Sequence, residues 1–479
     1  MNTLDYDYLY INGDWAVPST SERIDVIGAA TGKRVGSVPS AARKEVDHAV
    51  ESAQRAFTDP DGWATWSPAR RAVALEALAT ALEAHASDIA YSVTVQNGMP
   101  ISLARQLETG MPVATLRYFA GLVREQGDDY RRGYLGGDVR VLRRPVGVVA
   151  AIVPWNFPQT LAFTKLAPAL AAGCTVVLKP SPETVLDSMV LARALTEAGL
   201  PPGVVNIVPG GRSIGEYLVT HPGVDKVAFT GSTETGRAIA SACGQLLRPV
   251  SLELGGRSAA IVLDDADLLD HLESFFGAAL LNSGQCCYAT TRVLAPESRY
   301  DEIVEQLTSF VSALTIGDPL SPDTQVGPLT TARQRDRFES YLSAGIADGG
   351  KLTTGGNRPA DLPEGWFVTP AVMADVDNSS RIAQEEVFGP LLTVTSYSGE
   401  DEAVRLANES NYGLGGTVWT TDPDRGLEVA RRVRTGVIGI NGYIPDPAIP
   451  FGGVKDSGAS REFGPEGLAS YTHLQSVHL

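Results

Sequence analysis

Val148-Val149-Ala150-Ala151-Ile152-Val153-Pro154-Trp155-Asn156-Phe157-Pro158 decides how this chain is read. An uncharged run from Val148 to Val153, rich in β-branched residues, fits a strand buried on both faces. Pro154 and Pro158 then end that strand in a stiff loop around Trp155-Asn156-Phe157. Similar short runs recur at Thr175–Leu178, Val204–Val208, Lys226–Phe229 and Val250–Leu254. Segments of helical composition separate them, such as Thr184–Ala198 and Thr235–Ala242. Apolar strands spaced by helices predict a parallel sheet covered on both sides. The alternation resumes from Ala259 to about Gly439, with helices near 267–282, 297–314 and 331–347. The fold class is α/β, with two parallel-sheet lobes meeting close to Gly255-Gly256.

Upstream, short strands are expected near Tyr8 and Ile24. A helix is signed from Ser67 and Pro68, a capping serine followed by proline at the first helical position, with Leu75, Leu78, Leu82 and Ile89 on one face. A second helix is expected over about 100–122, although Gly110 and Pro112 fall inside it. Arg131-Arg132 and Arg140, Arg143 and Arg144 surround Gly133, Gly136 and Gly137. This reads as a solvated β-hairpin, or as an arm that pairs with another subunit.

The 479 residues are 43% hydrophobic and 20% charged, enough for two or three packed domains. Lys and Arg total 39 against 56 acids, a formal charge of −17, which repels phosphate backbones and argues against nucleic acid as a partner. The 49 glycines and 30 prolines are dispersed, so collagen-like and disordered classes are excluded. Acids near the first methionine do not make a signal peptide. The uncharged stretch Pro145–Thr164 is interrupted by Pro154, Asn156 and Pro158, so no membrane span is expected. Four cysteines in this length make no disulfide scaffold, and a reducing, cytoplasmic setting is expected.

Gly284-Gln285-Cys286-Cys287 follows a helix-like stretch, where a thiolate can face a cleft. Adjacent cysteines lack zinc spacing and the six histidines form no ligand pattern near them, so no metal is expected. A lone cysteine is commonly an inert buried hydrophobe, and the pair alone decides nothing. Glu253 ends the apolar run Val250-Ser251-Leu252-Glu253, before Gly255-Gly256. A sheet presents ligand-facing groups at such an end, and an apolar setting raises a carboxylate toward general-base range. Asn156 is either a turn former or a side-chain amide fixed for an oxyanion.

Two glycine patterns complete the inventory. Gly231-Ser232-Thr233-Glu234-Thr235-Gly236 lies between a strand and a helix, where backbone amides can receive a phosphate. It matches neither the usual dinucleotide fingerprint nor a P-loop. Gly211-Arg212-Ser213-Ile214-Gly215 matches the nucleophile elbow of serine hydrolases, with His473 and His478 as the late histidines. A serine hydrolase using Ser213 is the alternative.

Pro154-Trp155-Asn156-Phe157-Pro158, Leu178-Lys179-Pro180-Ser181, Phe229-Thr230-Gly231-Ser232, Leu252-Glu253-Leu254-Gly255-Gly256, Gly284-Gln285-Cys286-Cys287, Glu385-Glu386-Val387-Phe388-Gly389-Pro390 and Pro450-Phe451-Gly452-Gly453 occur in this order. Together they resemble the aldehyde dehydrogenase superfamily over nearly the whole chain. The resemblance implies Cys287 as nucleophile, Cys286 being the variable position of Gly-Gln-x-Cys, Glu253 as general base and Asn156 as oxyanion donor. It implies a dinucleotide on Lys179 (adenosine ribose), Gly231-Ser232 and Gly236 (pyrophosphate) and Glu386 (nicotinamide ribose), with Trp155 and Phe388 nearby.

The implied reaction is NAD(P)-dependent, non-acylating oxidation of an aldehyde to a carboxylate through a thiohemiacetal and a thioester. Relatives that pass the acyl group to coenzyme A often lack an acid at the position of Glu253, so hydrolysis is favoured. NAD-preferring members often carry glutamate three residues after the motif lysine. Here Pro182 stands there with Glu183 next, so NAD is expected and NADP is not excluded. The resemblance also implies a homodimer or homotetramer. Residues 1–122 and 146–255 are expected to bind the dinucleotide, 256–455 to form the catalytic domain, and 123–145 with 456–479 to form an oligomerisation arm and tail. The partner is a small-molecule aldehyde.

Overall fold

A computed structural model describes residues 3–125, 127 and 129–479. The run that opens the reading above is the strand Val148–Ile152, buried at every position. It lies inside a seven-stranded sheet ordered Val250–Glu253, Lys226–Thr230, Val148–Ile152, Thr175–Lys179, Val205–Ile207, Leu9–Ile11 and Asp14–Ala16. The first five are parallel, as expected. The last two close the edge antiparallel, so the strand expected near Tyr8 joins this sheet.

Successive residues of the central strand feed opposite cores, because a strand points alternate side chains to opposite faces. Val149 and Ala151 pack with Leu75, Leu116, Phe163 and Met189 of the helices on one side. Val148, Ala150 and Ile152 pack with Val50, Leu218 and Ile239 on the other. From Val148–Ile152 the chain runs outward through two strands, then returns to add Lys226–Thr230 on the opposite flank. The order therefore reverses between Ile152 and Phe229, which are register partners. An open α/β sheet forms its ligand crevice at such a reversal, beyond the carboxyl ends of the strands.

A second seven-stranded sheet runs Lys351–Thr354, Ala371–Ala374, Leu391–Tyr397, Arg292–Pro296, Ala259–Val262, Gly416–Trp419 and Gly439–Ile440. All neighbours are parallel except the first pair. Its core gathers Phe275, Val293 and Trp419. Leu254–Ser258, which includes Gly255-Gly256, links the last strand of the first sheet to Ala259–Val262 of the second.

The arginine-rich segment forms the expected hairpin, Asp129–Arg132 against Asp138–Pro145. Thr472–His478 adds a third antiparallel strand. Gln126 and Asp128, within the expected arm segment, lie outside the described residues.

Two helices differ from expectation. The one capped by Ser67, whose hydroxyl accepts the Arg70 N–H at 3.3 Å, ends at Ala84. His85 leaves helical geometry (φ −99°, ψ 9°) and a new helix begins at Ala86, so Ile89 belongs to its successor. All four expected apolar residues still enter one core. The helix expected over 100–122 comprises Ile101–Leu103, a π-helical stretch Ala104–Gly110, and Met111–Glu125. Pro112 has no N–H to give to the preceding turn, and the wider π spacing falls just ahead of it.

Candidate functional site

The site lies where the carboxyl ends of the first sheet face the amino ends of the second. Lys179 and Glu253 are the last residues of their strands, and Asn156 stands in the loop after Ile152. From the second lobe, Cys287 lies upstream of strand Arg292–Pro296, while Glu386 and Phe388 precede Leu391–Tyr397.

The cysteine loop needs unusual backbone. Asn282 and Ser283 take left-handed angles (φ 48° and 57°) and Gly284 has φ 71°. A Cβ on Gly284 would stand 2.3 Å from the Gly389 carbonyl oxygen, so only glycine fits this crossing. Amides hold the loop to Asn156. The Asn156 Nδ2 donates to the Gln285 carbonyl at 3.0 Å, and the Asn282 Nδ2 donates to the Asn156 carbonyl at 2.9 Å. The Thr330 N–H donates to Gln285 Oε1 at 3.0 Å. Asn97 Nδ2 donates to the Trp155 carbonyl at 2.8 Å. One N–H of the Asn156 carboxamide is thereby occupied and the other is left over.

Cys286 is buried and Cys287 half-buried. Contact with Cys286, burial, and the negative charges of Glu386 and Glu253 all push the Cys287 thiol well above its ordinary value. Glu253 is 3% exposed. Burial, then the neighbouring Glu462, pushes its carboxyl well above the usual range, against the opposing charges of Lys165 and Arg461. Its Oε2 is buried without a partner. A Cβ on Gly452 (φ 155°) would stand 2.7 Å from Glu253 Oε1, so glycine lets that loop close over the carboxylate.

The double glycine joins the two lobes. Gly256 N–H donates to Glu386 Oε1 at 2.9 Å. A Cβ on Gly255 would stand 2.9 Å from Glu386 Oε2, and one on Gly256 would stand 2.3 Å from the Cys287 carbonyl oxygen. Burial raises Glu386 to about 7. Phe388 (φ 58°) meets Trp155 edge-on, with ring centroids 5.3 Å apart.

Several features fit a dinucleotide. Lys179 is 6% exposed, and its ammonium donates only to the Pro180 carbonyl, at 3.2 Å. Burial lowers its pKa to about 8, so an incoming hydroxyl pair relieves an under-bonded cation. Gly231 follows strand Lys226–Thr230 and opens the helix Thr233–Gln245, whose amino end suits a diphosphate. The Ser232 hydroxyl caps that helix through the Thr235 N–H, which leaves backbone amides for the ligand. Gly236 is buried, and a Cβ there would meet Leu254 at 2.4 Å, so this glycine serves close helix packing.

The sequence reading missed the residues that hold these groups in place. Lys165, fully buried, pairs with Glu462 at 2.6 Å and donates to Thr230 Oγ1 at 2.6 Å, beside Glu253. Nothing in a single sequence flags this pair, whose members lie almost 300 residues apart. Asn97, Asn282 and Gln285 were also missed, although Gln285 stands in a quoted motif. Ser213, the alternative nucleophile, lies in the first turn of an exposed helix. His473 and His478 are carried away on the arm strand. The hydrolase reading has no triad.

Residues 15–477 match the model of the aldehyde dehydrogenase family. The chain belongs to the aldehyde dehydrogenase family. It is 52% identical to a geranial dehydrogenase of Castellaniella defragrans, covering 100% of this chain and 99% of that one. An aldehyde dehydrogenase of Mycobacterium tuberculosis crystallised with NAD+ superposes with a TM-score of 0.97 at 45% identity, covering 100% and 99% of the two chains. An aldehyde dehydrogenase C mutant of Pseudomonas syringae, crystallised with NAD+ and octanal, superposes at 0.95 with 35% identity over 98% and 96%. The protein is thus an NAD-dependent enzyme that oxidises aldehydes. No helix among the described residues is long and apolar enough to cross a membrane.

Gly256→Ala tests the approach of the lobes. The added methyl has no room beside the Cys287 carbonyl, so Tm is expected to fall and kcat to drop at least tenfold, about the cost of a displaced reacting group. Thermal melts and steady-state rates check this.

Proposed function

We propose that Cys287 is the nucleophile, Asn156 the oxyanion donor and Glu253 the general base. The observation that carries this is the placing of the half-buried Cys287 thiol within the field of the Glu386 and Glu253 carboxyls, with the buried Glu253 Oε2 left without a partner among the described residues. The Cys287 sulfur attacks the aldehyde carbon, and the thiol proton leaves toward Glu253. The aldehyde oxygen takes the unused N–H of Asn156 and a backbone N–H. NAD, when bound, accepts the hydride released as the adduct collapses to a thioester. Once Glu253 has passed the thiol proton to solvent, its carboxylate takes a proton from water, which attacks the thioester. The adduct expels the Cys287 sulfur, which regains its proton from Glu253, and the acid product departs as a carboxylate.

Lys179, Gly231, Ser232 and Trp155 of the first lobe, residues 1–122 and 146–255, make the dinucleotide cleft, with Gly236 packing the helix behind it; 256–455 brings the nucleophile together with Glu386 and Phe388. Glu183 supports NAD over NADP: its carboxylate accepts the Ser181 hydroxyl at 2.5 Å and acts on Lys179, where it repels a ribose phosphate. It takes the place of the carboxylate missing at Pro182. Tyr288, Tyr443 and Phe451 stack beside the cysteines, centroids 5.4 and 5.9 Å apart, and suit an aldehyde with an apolar body. The exposed Tyr130, Tyr134, Leu135 and Leu474 of the arm sheet support a homodimer or homotetramer built through it. Four free thiols support a cytoplasmic setting.

Cys287→Ala is expected to abolish turnover and Cys286→Ala to retain most of it, read by cofactor absorbance; activity in the first variant refutes the nucleophile. Glu253→Gln should still release a burst of reduced cofactor, followed by slow steady turnover. Because the base is active only when ionised and its pKa is raised, the wild-type steady rate should climb with pH, and this climb should vanish in Glu253→Gln. Wild-type kcat/KM should favour NAD, and Glu183→Gln should narrow that preference severalfold; a large NADP advantage in the wild type refutes the role of Glu183.

A further inference from the structure

Glu108 lies in the π-helical stretch Ala104–Gly110 and is fully buried. Its Oε2 accepts the backbone N–H of Gln159 at 2.7 Å, and its Oε1 has no partner. Gln159 is in the first turn of helix Pro158–Ala172, directly after the Asn156 loop. The Gln159 Nε2 donates to Asp187 Oδ2 at 2.5 Å, and Gln96 Nε2 donates to Asp187 Oδ1 at 2.5 Å. The residue after Gln96 is Asn97, which holds the Trp155 carbonyl. A further tie joins the π stretch to the same helix, as the Thr160 hydroxyl donates to the Leu107 carbonyl at 2.6 Å.

Two buried carboxyls with no bonded cation are costly as anions. Burial raises Glu108 to about 8 and Asp187 to about 6. Near neutral pH Glu108 is therefore an uncharged acid that accepts on one oxygen and can donate from the other. The Gln159 Oε1 is likewise buried without a partner and is an acceptor on the same wall. Departing from regular α-helix is a local cost, and a π turn commonly marks a site where a side chain is re-aimed for function. Here the turn aims a carboxyl at the backbone that follows the oxyanion loop.

We propose that Glu108 is a positioning residue for the Asn156 carboxamide: by holding the Gln159 N–H it fixes the start of helix Pro158–Ala172, and with it the loop that carries Asn156. This rests on the reading of Asn156 as the oxyanion donor. Glu108 touches neither substrate nor cofactor in this account. Its effect appears first in kcat, because a displaced Asn156 weakens the bond to the developing oxyanion, whereas Lys179 and Gly231, which hold the dinucleotide, stand on other strands.

The test is a double-mutant cycle on the full-length enzyme with NAD and a fixed aldehyde. Glu108→Leu should lower kcat about tenfold to a hundredfold, the range for a reacting group displaced by about an ångström, with KM for NAD within about twofold. Glu108→Gln, which keeps the acceptor and supplies a donor, should recover most of that loss. In an Asn156→Ala background, Glu108→Leu should cost less than about twofold more. Unchanged kcat in Glu108→Leu, or the same fractional loss in both backgrounds, overturns the proposal. Wild-type kcat in Asn156→Ala overturns the reading of Asn156 itself. If Glu108→Leu does not fold, Thr160→Val keeps the buried acid while removing the tie to the Leu107 carbonyl and the Thr160 hydroxyl beside Glu108. It should lose kcat severalfold in the wild type but not in Asn156→Ala, and an unchanged kcat in the wild type overturns the proposal.

Discussion

The closeness of two backbones at Gly255-Gly256 governs this molecule. The chain leaves the first sheet at Glu253 and enters the second at Ala259, and within those few residues it brushes past both the Cys287 carbonyl and the Glu386 carboxyl. No side chain fits there. The Glu253 carboxyl at the end of one sheet and the Cys287 thiol before a strand of the other are therefore brought near each other. The Gly256 N–H bond to Glu386 ties the segment that spans the lobes to the segment that sets Phe388 against Trp155 of the first lobe. Loss of that approach would separate the groups that the chemistry needs together.

Around this crossing the protein uses neutral amides more than charges. Asn156 and Asn282 each donate to a backbone carbonyl of the other's loop and so hold the cysteine loop against the loop after the first central strand, while Asn97 braces the Trp155 carbonyl and Gln285 braces the Asn282 carbonyl. An amide network can be buried without the desolvation penalty of ions, and it fixes direction because donors and acceptors are distinct. Charge is confined to a few places. The Lys165–Glu462 pair sits beside Glu253, and the carboxyls of Glu253, Glu386 and Glu108 are pushed upward by burial. A raised carboxyl can take or hold a proton near neutrality, which suits proton transfer at a thioester.

The two sheets contribute unlike edges. The first offers carboxyl ends of strands, as open α/β sheets do at a reversal of strand order. The second offers amino ends, through the loops before Ala259, Arg292 and Leu391. A thiol carried on such a loop needs left-handed residues at Asn282, Ser283 and Gly284 to turn toward the partner lobe. The under-bonded Lys179 and the helix amino end after Gly231 differ in kind, being set by local chain geometry, whereas the Trp155–Phe388 ring pair needs both lobes.

Much of this was written in the linear chain. Buried β-branched runs identify strands whatever their neighbours, since burial on both faces demands continuous apolar residues. The motifs that resemble the aldehyde dehydrogenase family single out Asn156, Lys179, Glu253, Cys287 and Glu386, and the glycines and prolines beside several of them mark where backbone must turn tightly. Helix ends were less legible: His85 breaks a composition that favours helix, and Pro112 is absorbed by a π turn, choices made by packing rather than propensity. Which groups meet was decided by the tertiary structure alone. Lys165 finds Glu462, Glu108 finds Gln159, and Gly256 finds Cys287 across long stretches of chain. A hydrogen bond or a missing Cβ acts over a few ångströms of space and leaves no periodic trace in sequence, so only the fold reveals it.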